Sequence, residues 1–92
     1  MTFNDVLEQM KAIHQAKNAD YGNSYELSAR LLGRPVVEGL LHRMCDKLAR
    51  ACRLAQGQPP QVEGEALQDT LLDLANYAVL ALISLENGSE RP

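Results

Sequence analysis

The segment from residue 65 to residue 85 reads EALQDTLLDLANYAVLALISL and predicts a helix that is apolar on almost every side. Its leucines and alanines recur three and four positions apart, the spacing of one helical face. Val79 and Ile83 widen that face, and Leu80 lies almost opposite to it. A helix of this kind is buried on more than one side. The rest of a 92-residue chain provides too little mass to cover it. We therefore expect its C-terminal half to pack against a second subunit.

Three further segments carry helical signals. Thr2 and Asp5 form a capping-box pattern at the start of the chain. Gly33 and Gly57 stand where two helices would end. No segment alternates with the period of two that marks a strand, so the predicted class is all-α: three main helices and one short helix, in a bundle completed by oligomerisation. The expected helices cover residues 2–18, 25–32, 35–55 and 65–85, with a Pro- and Gly-rich loop before the last one.

The composition indicates a single soluble domain. We expect residues 1–86 to form that domain and residues 87–92 to be a disordered tail. The net charge of −3, with both signs mixed along the chain, argues against binding to duplex nucleic acid. No targeting signal or membrane-length apolar segment is present, so we expect a cytoplasmic protein without a membrane partner. Cys45 and Cys52 would lie about 10 Å apart on one helical face, too far for a disulfide, and we expect both to be buried.

A polar segment, KNADYGNSYEL at residues 17–27, interrupts the helical pattern. Gly22 permits a turn with positive φ, and Tyr21 offers a ring that can stack on a base. Ser24 and the amides after it offer donors at a helix N-terminus, where phosphate binds well. Two interpretations stay open: the segment is one wall of a ligand site, or it is a capped connection with Tyr21 packed on the core.

The last helix carries a carboxylate stripe, which we define as Glu65, Asp69 and Asp73, spaced four residues apart and followed by Asn76. Carboxylates on one helical face can hold Mg²⁺ when a phosphate supplies the remaining oxygens. The helix dipole is an alternative explanation for the acids of the first turn, but it does not account for Asp73. The candidate metal ligands are therefore Glu65, Asp69 and Asp73, with Mg²⁺ as the candidate cofactor.

The preceding helix carries a basic stripe, which we define as Arg43, Lys47 and Arg50, with Asp46 between them. One interpretation is a solvated face with salt bridges along the helix. The other is that the basic stripe faces the carboxylate stripe across a cleft. Such a cleft would hold both cations and carboxylates, as a nucleotide–metal site requires.

The two histidines fit structural roles better than catalytic ones. His14 lies near the apolar stripe of the first helix, and His42 can be oriented by Asp46, four residues further on. The sequence contains no Ser-His-Asp set, glycine-rich phosphate loop or zinc-binding spacing.

Three motifs, in this order, resemble the nucleotide modification associated domain family, small helical proteins of bacteriophages and prophages. They are K-x-x-D-Y-G-N-S at residues 17–24, R-x-x-D-K-x-x-R at residues 43–50 and E-x-x-x-D-T-L-L-D-L-A-N-Y-A at residues 65–78. The resemblance runs from about Phe3 to Leu85 and implies a role around modified nucleotides in the cytoplasm of a bacterial host. The resemblance suggests that Lys17, Asp20, Tyr21, Gly22, Asn23 and Ser24 form a functional loop. Together with the two stripes, this gives the candidate ligand-binding residues: that loop, the basic stripe Arg43, Lys47 and Arg50 with Asp46, and Asn76 and Tyr77 of the last helix.

The third motif is also similar to a metal-binding helix of the all-α, MazG-like NTP pyrophosphatases. Glu65 and Asp69 match the E-x-x-x-D spacing of that helix. The chain departs from those enzymes where they carry a second carboxylate pair, E-x-x-E. The basic stripe with its single carboxylate stands there instead, and this combination suits phosphate better than metal. The departure argues against two-metal hydrolysis and leaves nucleotide binding in place.

Three functions follow from these patterns. The first is a nucleotide-binding protein of phage nucleotide metabolism. If that protein is an enzyme, pyrophosphohydrolysis by Mg²⁺-activated water is the favoured reaction. The second is a non-catalytic, oligomeric sponge that sequesters a nucleotide signal of host immunity, such as a cyclic nucleotide. The third is a structural or adaptor protein whose stripes are salt bridges.

Overall fold

The computed structural model describes residues 1–21, 24–59 and 66–86, without the side chains of residues 18–21 and 24. Four α-helices follow one another: α1 Phe3–Tyr21, α2 Ser24–Leu32, α3 Val36–Ala55 and α4 Leu67–Glu86. No strand occurs in the described ranges, so the predicted all-α class with three main helices and one short helix is confirmed. Within the same ranges, none of the helices combines the length and the hydropathy needed to cross a membrane. The predicted tail, residues 87–92, lies outside them.

Helices α1 and α4 both begin with a carboxylate that accepts a hydrogen bond from the main chain. The amide of Thr2 donates to Asp5 Oδ2 at 2.8 Å, and the amide of Asp5 donates to Thr2 Oγ1 at 3.1 Å. This reciprocal pair confirms the predicted capping box, which satisfies donors that a helix start leaves without partners. At the start of α4, the amide of Ala66 donates to Asp69 Oδ2 at 3.2 Å. The Asp69 carboxylate therefore stabilises the first turn of α4.

Gly33 and Gly57 end α2 and α3, as predicted. Their φ angles are 66° and 92°, in the left-handed region that side chains disfavour. The amide of Gly33 donates to the carbonyl of Arg30 at 3.3 Å, and the amide of Arg34 donates to the carbonyl of Ala29 at 3.0 Å. This pair of bonds is a Schellman motif, and an equivalent pair closes α3 at Gly57.

The polar segment at residues 17–27 is more helical than expected. Helix α1 continues to Tyr21, and α2 begins at Ser24. Asn and Asp lower helix stability by only about 0.5 kcal/mol each, so they do not end a helix by themselves. The first residue with a strong tendency to end α1 is Gly22, which lies, like Asn23, outside the described ranges.

Helices α3 and α4 pack against each other to form the centre of the fold. Leu40 and Thr70 are the largest fully buried side chains, and the small residues Ala51 and Ala81 are buried with them. Thr70 Oγ1 donates to the carbonyl of Ala66 at 3.0 Å, which satisfies a hydroxyl that would otherwise be costly to bury. The core of the described chain is therefore made mostly of small side chains.

The prediction that the cysteines are buried is wrong. Cys45 and Cys52 are free thiols on the exposed side of α3. Leu41 and Leu48, on the same stripe, are 50% and 54% exposed. The reason is geometric, because this stripe lies about 100° around the helix from Leu40, the residue that faces the core. The apolar surface of α3 is wider than its contact with α4.

Candidate functional site

Asp73 joins three helices through two ion pairs. Its Oδ1 lies 2.9 Å from Lys17 Nζ of α1, and its Oδ2 lies 3.2 Å from Lys47 Nζ of α3. The side chains of Asp73 and Lys47 are each 18% exposed, whereas that of Lys17 is 51% exposed. The basic stripe and the carboxylate stripe therefore meet at Lys47 and Asp73, in a partly dehydrated position.

The two lysines keep Asp73 ionised. Burial by itself raises the pKa of a carboxyl group. The hydrogen bonds and charges of Lys17 and Lys47 outweigh burial, and the pKa of Asp73 lies below its ordinary value of 3.8. Asp73 is thus a carboxylate at neutral pH, and both of its oxygens already have cationic partners.

A second contact fixes α1 close to the same place. The side-chain amide of Asn76, three residues after Asp73, donates from Nδ2 to the carbonyl of Met10 at 3.3 Å. A carbonyl inside a helix can accept this extra bond because it has two lone pairs. Asn76 and Asp73 together hold α1 against α4 through polar contacts.

All four helices surround a cavity of about 550 Å³ next to these contacts. This volume lies within the range of small-molecule sites, about 300–1,000 Å³. Its lining is Ile13, His14 and Lys17 of α1; Tyr25, Ser28, Ala29 and Leu32 of α2; Arg34 and Pro35 before α3; Glu38, Gly39, His42 and Arg43 of α3; and Asp73, Asn76, Tyr77 and Leu80 of α4. We call it the four-helix cavity.

The cavity also shows the direction of the two central helices. Lys47 pairs with Asp73. Four residues earlier on α3 and four residues later on α4, Arg43 and Tyr77 line the same cavity. Residue numbers therefore increase along α4 in the direction in which they decrease along α3, so the two helices run antiparallel.

Among the described residues of the cavity wall, one cation has no ion-pair partner. Arg34 binds Glu38 through two hydrogen bonds, Nε to Oε1 at 3.1 Å and Nη2 to Oε2 at 2.6 Å. The bond from Arg34 lowers the pKa of Glu38. Lys17 is balanced by Asp73. Arg43 makes no ion pair with any residue that the structure describes. An anion that enters the cavity therefore meets a guanidinium that is not paired with any described carboxylate.

Other parts of the wall are aromatic or open. Tyr25 and Tyr77 are half-buried, and burial, with a smaller effect of the Glu26 charge, raises the pKa of Tyr25. Gly39 lies within α3, and a Cβ added there would meet no atom within 4 Å. A glycine inside a helix costs about 1 kcal/mol relative to alanine. The absence of a side chain at Gly39 keeps this part of the cavity open.

The structure brings together only part of the predicted site. Five predicted residues line the cavity: Lys17, Arg43, Asp73, Asn76 and Tyr77. Four do not: Asp46, Lys47, Arg50 and Asp69. Of these, Asp46 is exposed, Lys47 acts through Asp73, and Asp69 accepts the Ala66 amide. The other predictions fall on Gly22, Asn23, Glu65 and the side chains of Asp20, Tyr21 and Ser24, outside what the structure describes.

The two described carboxylates of the stripe already have protein partners. Asp69 and Asp73 already accept bonds from a backbone amide and from two ammonium groups. Among the described residues, no group of three or more His, Cys, Asp or Glu side chains could hold a metal ion. The predicted third ligand, Glu65, lies outside this part of the chain. Mg²⁺ as a cofactor therefore stays a prediction.

Sequence reasoning missed the wall formed by the start of α3. His42, which was expected to pair with Asp46, lines the cavity, and its charge contributes to lowering the pKa of Glu38. His14 lines the cavity as well. One signal was available in the sequence, because Gly39 interrupts an otherwise helical segment and such a glycine needs a packing or functional reason.

The comparisons with known proteins identify a family for most of the chain. Residues 17–85 match the family model described as nucleotide modification associated domain 1. The match includes every predicted site residue. It also includes every cavity-lining residue except Ile13 and His14. No curated protein and no solved structure matches the chain. The similarity to MazG-like pyrophosphatases therefore stays a prediction.

Proposed function

The chain belongs to the nucleotide modification associated domain 1 family, and on that premise we propose that it binds a nucleotide in the four-helix cavity. The description of the family links the chain to nucleotide metabolism in general terms. The proposal adds where the ligand binds and which residues recognise it.

The observation that carries the proposal is the unbalanced charge of Arg43 in a cavity of nucleotide size. The other two permanent cations of the wall, Lys17 and Arg34, have carboxylate partners. A guanidinium binds phosphate through two parallel hydrogen bonds, which makes it the side chain best suited to this task. Lys17, half exposed, can turn from Asp73 to a phosphate without leaving the cavity.

The rest of the wall suits the base and the sugar. Tyr25 and Tyr77 offer aromatic faces, and stacking of a base on an aromatic ring contributes about 1–3 kcal/mol. The open surface at Gly39 allows a flat ligand to approach the α3 main chain. Asn76 donates one N–H to the Met10 carbonyl and so holds α1 in place, and we assign it a positioning role.

The ion pairs of Asp73 favour binding over turnover. In a Mg²⁺-dependent pyrophosphohydrolase, Asp69 and Asp73 would bind metal. Here both carboxylates have protein partners. This supports a binding protein, whether a carrier in nucleotide metabolism or a sponge for a nucleotide signal, over a hydrolase.

Ligand binding is tested by a thermal-shift screen of the purified protein followed by calorimetric titration. The panel contains nucleoside mono-, di- and triphosphates, modified dNTPs and cyclic di- and trinucleotides, each with Mg²⁺ or with EDTA. A ligand at a hundredfold excess over its Kd stabilises the folded state by about 2.7 kcal/mol. We expect a hit that persists in EDTA and is recovered intact. A hit that requires Mg²⁺ and is hydrolysed would instead indicate the pyrophosphatase reaction.

Two substitutions locate the site. We expect Arg43→Gln to weaken binding by at least tenfold, because it removes the unbalanced charge, and Arg53→Gln, an exposed change on the same helix, to leave the Kd unchanged. Gly39→Leu places a side chain in the open space of the cavity, and we expect it to block binding without unfolding the protein. Ala49→Leu, on an exposed position of α3, is its control. Equal affinity of all four variants and wild type would refute the cavity as the site.

A further inference from the structure

The exposed stripe of α3 is a regular apolar seam. Leu41, Cys45, Leu48 and Cys52 follow each other at spacings of four, three and four residues. This is the spacing at which one helix packs against another with interlocking side chains. All four residues are exposed, and the two leucines are 50% and 54% exposed. The seam is therefore built for helix packing, yet nothing in the described chain covers it.

Helix α4 carries a second apolar stripe on the same side of the helix pair. Leu71, Leu82 and Leu85 are 49%, 67% and 48% exposed. On each helix, the cavity-lining residues lie on one side of the α3–α4 contact and the apolar stripe lies on the other. Because the helices are antiparallel, the two stripes form one continuous surface opposite the cavity. We call it the outer face: Leu41, Cys45, Leu48 and Cys52 of α3, and Leu71, Ala78, Leu82 and Leu85 of α4.

We propose that the outer face is covered by the outer face of a second copy of this chain. Two helices from each copy would then form a four-helix core, with the face of one copy packed on the same face of the other. A two-fold contact of this kind requires a surface that is complementary to itself. On each helix, an arc of about 90° that contains the stripe holds only apolar residues, so no charge lies within the seam itself.

The segments that the structure leaves undescribed do not offer an alternative cover. The segments outside the description are PQVEGE at residues 60–65 and NGSERP at residues 87–92. Val62 is their only large apolar residue apart from a proline in each, too little to bury a surface formed by two helices. The occupant must therefore be another apolar surface, and the outer face itself is one of matching length and composition.

The area of the outer face is sufficient for a stable dimer. α3 and α4 each have 20 residues. They are thus about 30 Å long and together about 20 Å wide, which gives a flat area of about 600 Å². Because side chains corrugate the surface, the accessible area is near the roughly 800 Å² per partner of a standard protein interface. Burial of this face also supplies the large side chains that the core of one chain lacks.

The arrangement has a consequence for ligand binding. The outer face and the four-helix cavity lie on opposite sides of the α3–α4 pair, so dimerisation leaves both cavities open and facing away from each other. Each chain keeps a complete set of cavity residues. Dimerisation does not depend on the identity of the ligand, and it is tested without a ligand.

The first test is the molar mass of the wild-type protein by light scattering after size exclusion. We expect about twice the chain mass of 10.2 kDa. Leu48→Glu places a charge in the seam and is expected to give the monomer mass. Leu31→Glu is the matched control, since Leu31 is 77% exposed on α2, away from the outer face, and this variant is expected to stay dimeric. A monomeric wild-type protein, or a dimer that only Leu31→Glu dissociates, would overturn the proposal.

The second test needs no substitution, because both thiols of the chain lie on the outer face. In the dimer, Cys45 and Cys52 are covered, and we expect DTNB to modify them at least about tenfold more slowly than free cysteine. Dilution of the wild-type protein is expected to accelerate the reaction as the dimer dissociates. Thiols that react at the rate of free cysteine in a dimeric sample would place the contact elsewhere and overturn the proposal.

Discussion

Asp73→Asn separates the structural role of the Asp73 carboxylate from a role in metal binding. The substitution keeps the shape of the side chain and removes its charge. Lys47, 18% exposed, then has no carboxylate partner 3.2 Å away, while Lys17, 51% exposed, loses a partner but stays hydrated. We expect the protein to become less stable and, in the same variant, to bind nucleotide more tightly.

The size of both effects follows from the geometry. The partly buried bond from Lys47 contributes about 2 kcal/mol, the middle of the range for hydrogen bonds to charged groups. The bond from Lys17 contributes about 0.5 kcal/mol because solvent screens it. Since an amide oxygen can still accept one bond, the expected loss is about 2 kcal/mol, which lowers the Tm of a domain of this size by about 10 °C. Removing a negative charge beside the phosphates strengthens their binding by about 1 kcal/mol, or about fivefold.

The assay is thermal unfolding together with calorimetric titration of the best ligand, with and without Mg²⁺, at one fixed chain concentration. Asp46→Asn is the matched control, because it removes an exposed carboxylate of α3 that does not line the cavity. We expect that control to change stability by less than about 0.5 kcal/mol and to leave the Kd unchanged. Loss of binding in Asp73→Asn, confined to solutions containing Mg²⁺, would refute the reasoning and assign Asp73 to a metal.

Three further predictions concern stability. The pKa of Asp73 is depressed in the folded state, so the stability that its charge contributes is complete above the unfolded-state pKa near 3.8. That stability is lost as the pH falls through the lower folded-state pKa. The unfolding free energies of the wild type and of Asp73→Asn, measured against pH, should therefore converge in that window. Leu40→Ala, at 0% exposure, is expected to cost about 3 kcal/mol in denaturant unfolding, and Leu31→Ala, at 77% exposure, less than about 0.5 kcal/mol; equal costs would contradict the core assignment. Asp69→Ala removes the carboxylate that accepts a hydrogen bond from the Ala66 amide. We expect it to lower the free energy of unfolding by about 1 kcal/mol and to leave ligand affinity unchanged. A loss of affinity would show that Asp69 belongs to the binding site.

Local signals predicted most of the fold because their causes are local. The capping box at Thr2 and Asp5 joins residues three positions apart. Gly33 and Gly57 end helices through their own backbone freedom, which no distant contact has to supply. The difference at residues 17–27 has a local cause as well, since Asn and Asp favour turns only weakly and α1 continues through them to Tyr21.

The site could be predicted only from residue types that have few alternative roles in a folded protein. Cations and carboxylates on two helices indicated an anion site, and Lys17, Arg43 and Asp73 do line one cavity. The sequence could not show that Asp69 caps the start of a helix, or that His42 and Gly39 line the four-helix cavity. Those roles depend on the rotation of each helix against its neighbours, and a helical wheel leaves that rotation undetermined when a helix has apolar residues on several sides.

By itself, the sequence determined the helices, their ends and the family of the chain, because hydrogen bonding within a helix and motif order are properties of neighbouring residues. The tertiary structure decided which face of α3 meets α4. That choice buried Leu40, left Cys45 and Cys52 exposed, and joined Lys17 to Asp73 across 56 positions of the chain. Packing selects among apolar faces by shape and by the pairing of charges, and both require two surfaces in contact rather than one.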